Sequence, residues 1–119
     1  MIEDLIRKNR SYRRFHQDVP VGVKTLRALV SLARLSASGA NLQPLKYILS
    51  SDPETNATIF PHTRWAGYLK DWDGPAEGER PAAYVVILGD TEIRSPVGGD
   101  HSRAAQPIIL GARKRGLGG

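Results

Sequence analysis

The sequence predicts an α+β fold, helices packed on a small sheet, and three observations carry that expectation. Leu26, Leu29, Val30, Ala33 and Ala37 share one face at helical spacing. Ala82-Ala-Tyr-Val-Val-Ile-Leu88 is rich in β-branched and aromatic residues and stops at Gly89, as a buried strand would. Ala105, Ile108, Ile109 and Ala112 return to helical spacing near the end of the chain.

In chain order, Ile2, Leu5 and Ile6 mark a short first helix that ends around Asn9, with Arg7, Lys8 and Arg10 complementing its C-terminal dipole. Pro20 and Gly22 then punctuate the chain before a helix expected over residues 23–37. Ser38-Gly-Ala-Asn-Leu-Gln-Pro44 breaks that helix, and the apolar run from Leu45 to Leu49 reads as a strand. From Asp52 to Pro81, Pro53, Pro61, Pro75, Gly67, Gly74 and Gly78 interrupt any long element, leaving room for a short helix over 64–71 with Trp65, Tyr68 and Trp72 on one face. The last helix closes on Arg113-Lys-Arg115 with Gly116 as its C-cap. Pro107 must fall in its first turn or kink it, because a deeper proline loses a backbone bond. Two strands alone make a marginal sheet, so further strands are expected from a missing segment or a second subunit.

The 119 residues, 40% of them hydrophobic, suit one globular domain spanning 1–119. There is no cysteine, which excludes disulfide frameworks, thiolate metal sites and a cysteine nucleophile. The start Met-Ile-Glu-Asp is acidic where a secretory leader is basic, and no apolar stretch reaches membrane-spanning length, so a cytoplasmic protein is expected. Net charge is +5, and residues 1–40 hold eight Lys/Arg against three Asp/Glu. That basic third calls for an anionic partner, either nucleic acid or a phosphate-bearing cofactor.

Two segments carry candidate chemistry. Arg10, Arg13 and Arg14 cluster about Ser11 just past the first helix, and guanidinium forks with a hydroxyl suit phosphate; the plainer account is a solvated helix terminus. Ser38 to Pro44 offers small residues and the Asn41 and Gln43 amides to a flat heterocycle, or is simply a helix-stop loop. His16, His62 and His101 form no metal-ligand pair, and Asp71, Asp73, Glu77 and Glu79 lack calcium-loop spacing and read as a solvated loop. Walker A, Gly-x-Gly-x-x-Gly and Gly-x-Ser-x-Gly patterns do not occur, which disfavours P-loop, Rossmann and serine-hydrolase readings.

Taken together, Arg10-Ser-Tyr-Arg-Arg-Phe15, then Leu26 to Ala33, then Ser38 to Pro44 resemble the opening of FMN-dependent nitroreductase-like proteins. Asp100-His-Ser-Arg-Ala-Ala-Gln106, with Leu110, Ala112 and Gly116-Leu-Gly-Gly119, is similar to the family's central helix and glycine turn. The resemblance implies a nitroreductase-like α/β sandwich, helices on a small mixed or antiparallel sheet, in a homodimer with FMN at the subunit interface. It also implies NAD(P)H as electron donor and ping-pong reduction of nitroaromatics, quinones or similar acceptors, with no nucleic-acid or membrane partner. Arg10, Ser11 and Arg13 match positions that hold the FMN phosphate and ribityl region, and Ser38, Gly39 and Asn41 match the loop the partner subunit lends to the same flavin. No catalytic side chain and no metal follow from it.

The sequence departs from the family pattern at Asn9, Leu45 and Ser102, where a further arginine, an aromatic and a glycine are common. It also lacks the C-terminal portion that family members usually carry past the glycine turn. Two alternatives stand beside the enzyme: a non-catalytic flavin-binding or dimerisation module, and a small basic nucleic-acid-binding protein.

Overall fold

Helix α1 (Ile2–Lys8) begins the chain, with Glu3 and Asp4 in its first turn and Arg7 and Lys8 in its last. All residues, Met1–Gly119, are described by the computed structural model. α1 buries no residue. Its ends complement the helix dipole, and Arg7 pairs with Glu3 at 2.7 Å one turn back.

The apolar stripe of α2 (Val23–Ala33) buries Leu26, Leu29 and Ala33, as its period predicts. The helix stops four residues short of the expected end. Leu35 and Ser36 bond back to Leu32 and Ala33 as a tight turn. Ala37 therefore leaves the helical face, and its carbonyl accepts from Arg103 Nε at 3.3 Å. Bonds to a neighbouring element outcompete one more helical turn here.

The sheet has two strands, β1 (Leu45–Ser50) and β2 (Tyr84–Gly89), paired antiparallel with Leu45 opposite Gly89 and Ser50 opposite Tyr84. No third strand joins them. Alternate residues divide the faces. Leu45, Tyr47, Leu49 and Val85 lie on the face toward the helices, and burial pushes the Tyr47 phenol above its ordinary value. Ile48 and Leu88 on the other face are 48% and 42% exposed, so that face lacks a covering layer.

Between the strands the expected helix over 64–71 is absent, and one lies earlier instead. Helix α3 (Pro53–Ile59) starts where Asp52 accepts from the Thr55 amide at 3.0 Å, with Pro53 in the first turn. Proline does no harm there, since its missing N–H would be unpaired anyway. Residues 60–62 add one 3-10 turn. Trp65, Tyr68 and Trp72 share no helix face: Ala66 takes a left-handed φ of 36°, Trp65 packs on Phe15 and Phe60 at 6.2 and 6.1 Å between ring centroids, and Tyr68 is wholly exposed. Asn56 of α3 is buried and bridges the layers, accepting from Ser50 Oγ at 2.6 Å and donating to the Ala82 carbonyl at 2.8 Å.

Helix α4 (Asp100–Lys114) packs along α2. Gly111 allows the approach, because a Cβ there would run into the Leu29 and Leu32 side chains. Gly116, at φ 78°, ends the helix as expected: its amide bonds Arg113 and that of Leu117 reaches back to Ala112. Pro107 sits in the interior rather than the first turn, and the helix runs on through it. Proline offers no N–H to the Arg103 carbonyl four residues earlier, and the Ser36 hydroxyl donates to that carbonyl at 3.2 Å instead. No helix is long and apolar enough to cross a membrane.

Candidate functional site

The arginine segment leaves α1 at Asn9 in an extended conformation and is pinned on both sides. The Tyr12 amide donates to the Gly119 carbonyl at 3.1 Å, and the Phe15 amide to the Glu79 carbonyl at 2.8 Å. Gln17 clasps the same loop, accepting from the amides of Gly78 and Arg80 at 2.6 and 3.2 Å. Arg80 in turn lies 4.1 Å from the Phe60 ring centroid, a cation–π contact that ties this loop to the Trp65 cluster.

This clamping presents the charged side chains outward. Arg10, Ser11 and Arg13 are exposed. Arg10 reaches only the Asn9 carbonyl at 3.3 Å, Arg14 lies 3.7 Å from Glu79, and Ser11 and Arg13 have no side-chain partner in the chain. Ser11, Arg13 and Arg14 form one wall of an open cleft of about 850 Å³, and Tyr68, Lys70 and Trp72 contribute to the other. Arg10 is not in its lining. The cleft carries three cations against the single carboxylate of Asp71, a donor set suited to a phosphate dianion.

The second segment is built differently. Residues 39–41 form a 3-10 turn in which Ala40 and Asn41 have φ of 51° and 54°, and Gln43 follows at 51°. Asparagine tolerates the left-handed region; alanine and glutamine enter it only when their surroundings hold them there. The start of this loop is bonded to Asp100 at the start of α4, 2% exposed. Ser38 Oγ donates to its Oδ2 at 2.5 Å and the Gly39 amide to its Oδ1 at 3.1 Å. The Gln43 amide donates to Ser38 Oγ at 2.9 Å, closing the loop on itself. Arg103 Nη2 donates to Asp100 Oδ1, and Arg94 Nη1 stands 3.6 Å from the same oxygen without a hydrogen bond. The Ser38 hydroxyl and Gly39 amide hold the Asp100 carboxyl down at about 2, Arg103 adding to them and burial opposing them.

Ser38 and Gly39 thus spend their polar groups inside the chain, while the exposed Asn41 amide has no partner. Ser38, Gln43, Tyr47 and Asp100 line a second cleft of about 480 Å³, which shares no residue with the first. The structure brings Ser11 together with Arg13, and Ser38 with Gly39 and Asn41. It does not bring the two groups together within one chain. Sequence reasoning missed Asp100, Arg94 and Arg103 as residues of the site, and it set Tyr68 and Trp72 on a helix face rather than in the wall of a cleft. An acid in a first helical turn looks like ordinary dipole complementation; only the Asp100/Arg103 spacing of three hinted at a pair.

The family model described as Nitroreductase family matches residues 6–119. The chain belongs to the nitroreductase family. Among solved structures, it resembles an FMN-dependent nitroreductase from Clostridium difficile at 26% identity and TM-score 0.75, over 99% of this chain and 63% of that one. Two more share the fold: a nitroreductase family protein from Streptococcus pneumoniae (16% identity, TM-score 0.76, 99% of this chain and 74% of that) and the NADPH:FMN oxidoreductase of Vibrio harveyi complexed with NAD+ (22%, 0.70, 98% and 53%). This nitroreductase-family chain spans less than two thirds of the Clostridium and Vibrio proteins. No curated protein matches it in sequence.

Proposed function

We propose that this chain acts as an FMN-dependent oxidoreductase of the nitroreductase type, drawing electrons from NAD(P)H and passing them to nitroaromatics, quinones or similar acceptors. FMN is the cofactor that the family and its FMN-binding neighbours support. The observation that carries the reading is the pairing of an unpartnered Arg13 guanidinium with an unpartnered Ser11 hydroxyl on a rigidly pinned backbone. Such donors with no internal anion fit a phosphate group. In this reading Arg13 and Ser11 grip the phosphate and Arg10 adds positive charge from the extended segment just past α1. Asn41 offers its free amide, and Ser38 and Gly39 hold the loop that carries it. The flavin, when bound, supplies the hydride and electron transfer, and the protein's part is binding, orientation and electrostatics.

A homodimer completes the reading. The Ser11/Arg13 cleft and the Ser38 loop lie in separate clefts, as expected of a site to which each of two chains lends one half.

The test is a visible absorption spectrum after loading with FMN and removing the excess, then anaerobic addition of NADPH or NADH. Retained flavin that bleaches on adding nicotinamide supports the enzyme. Retained flavin that does not bleach favours a non-catalytic flavin-binding module, and a colourless protein removes the flavin reading.

A further inference from the structure

We infer that Asp100 is a positioning residue: it fixes the left-handed conformations of Ala40, Asn41 and Gln43 through Ser38 and Gly39, and thereby sets where the Asn41 side-chain amide is presented. The inference that this presentation serves a flavin rests on the function proposed above; the bracing itself does not.

Three observations converge on this residue. Asp100 is one of the two most completely buried large side chains of the protein, the other being Pro44 at the far end of the same loop. Its two oxygens face four donors, the Ser38 hydroxyl, the Gly39 amide and the guanidiniums of Arg103 and Arg94. Ion pairing alone would have been met by the two arginines. The carboxylate instead turns Oδ2 to Ser38, and Ser38 relays the hold to the Gln43 amide. A buried carboxylate is costly unless its lone pairs are filled, so the donors must stay in register. That requirement fixes the start of the loop through Ser38 and Gly39 and its far side through Gln43. Between those points Ala40 and Asn41 take φ values that an unconstrained alanine avoids.

Arg94 extends the same logic. Its guanidinium packs where a Cβ on Gly39 would sit. A side chain at position 39 would push the Arg94 guanidinium away from Asp100, so glycine there lets that arginine lie against the acid.

The experiment is amide hydrogen exchange on the full chain without added cofactor, comparing wild type with Asp100→Asn and with Ser38→Ala. Asp100→Asn leaves two guanidiniums facing each other without an anion; Ser38→Ala cuts the loop's arm and leaves the acid–arginine cluster whole, so it reports even where the first variant folds poorly. Exchange at residues 39–43 should quicken by about 10- to 100-fold, the effect of losing a charge-assisted hydrogen bond, while the amides of α2 and the strands keep their rates. Unchanged exchange in the loop overturns the assignment, as does uniform acceleration throughout the chain, which would make Asp100 a general stability residue. FMN titration is the second readout. Asp100→Asn should weaken binding in the wild-type background and have no further effect once Asn41→Ala is present; equal weakening in both backgrounds overturns action through Asn41. Wild type that binds no FMN while its loop exchange responds as expected removes the flavin reading and leaves the bracing role standing.

Discussion

Replacing Pro107 with alanine should stabilise the protein, by an amount that depends on Ser36. A proline in a helix interior costs about 3 kcal/mol relative to alanine, from the lost backbone bond and the ring's clash with the preceding turn. Here part of that cost is already offset, because the Arg103 carbonyl accepts from the Ser36 hydroxyl at 3.2 Å, a bond worth about 1 kcal/mol net. The gain expected from Pro107→Ala is therefore about 1–2 kcal/mol, or roughly 3–8 °C in Tm for a chain of this size. Ser36→Ala alone should cost about 1 kcal/mol, since Arg103 then loses its substitute donor. In the Pro107→Ala background the same change should cost less than half as much, because the helix supplies the missing N–H. Urea unfolding followed by far-UV circular dichroism, with the four proteins forming a cycle, reads both quantities. A Pro107→Ala variant less stable than wild type, or a Ser36→Ala cost equal in both backgrounds, would refute the compensation.

Other outcomes follow from the same structure. Asn56→Ala should destabilise by about 2–4 kcal/mol, because the buried Ser50 hydroxyl and the Ala82 carbonyl both lose their partner; a denaturation midpoint within error of wild type would contradict the bridge. Arg13→Ala combined with Ser11→Ala should weaken FMN binding by about 10- to 100-fold for each charge-assisted bond removed, measured by recovery of free-flavin fluorescence, and unchanged affinity would sink that site assignment. Asp100 has a folded pKa of about 2, below its ordinary value of 3.8. Its contribution is then fully present above about pH 4 and is lost as pH falls toward 2. Asp52 and Asp90 are shifted the same way, chiefly by the Thr55 amide and by Lys46. Thermal melts should show Tm falling between pH 4 and 2, less steeply in Asp100→Asn; parallel slopes for the two proteins would count against the role of Asp100 in acid stability.

The parts of the fold governed by periodicity were legible in the sequence. Leu26, Leu29 and Ala33 are core residues on the face their spacing assigns, and the two apolar runs pair as strands. Legibility failed where a single residue had two meanings. Pro53 reads as a breaker in isolation, yet with Asp52 before it and Glu54 after it, it opens a helix. Trp65, Tyr68 and Trp72 have helical spacing, but the chain turns at Ala66 and sends Trp65 inward and Tyr68 out. In the candidate site, the arginine cluster was visible because charge density survives in one dimension. The grip of Asp100 on Ser38 was not, because it joins residues 62 positions apart whose types are each ordinary where they stand.

The two-stranded sheet has a further consequence. Each strand has one neighbour, and the backbone groups of 45–50 and 84–89 that point away from it bond no other part of the chain. Half of the sheet's main-chain hydrogen bonding is thus an open template on both flanks. Open edges of this kind are where sheets pair with a further extended segment, and the apolar Ile48 and Leu88 beside them are half-exposed. The handling of this protein, its yield and its tendency to form larger species with rising concentration, should therefore be set at the sheet margins rather than in the clefts. Charged or proline substitutions at outward-facing edge positions are the changes that would improve it without touching either cleft.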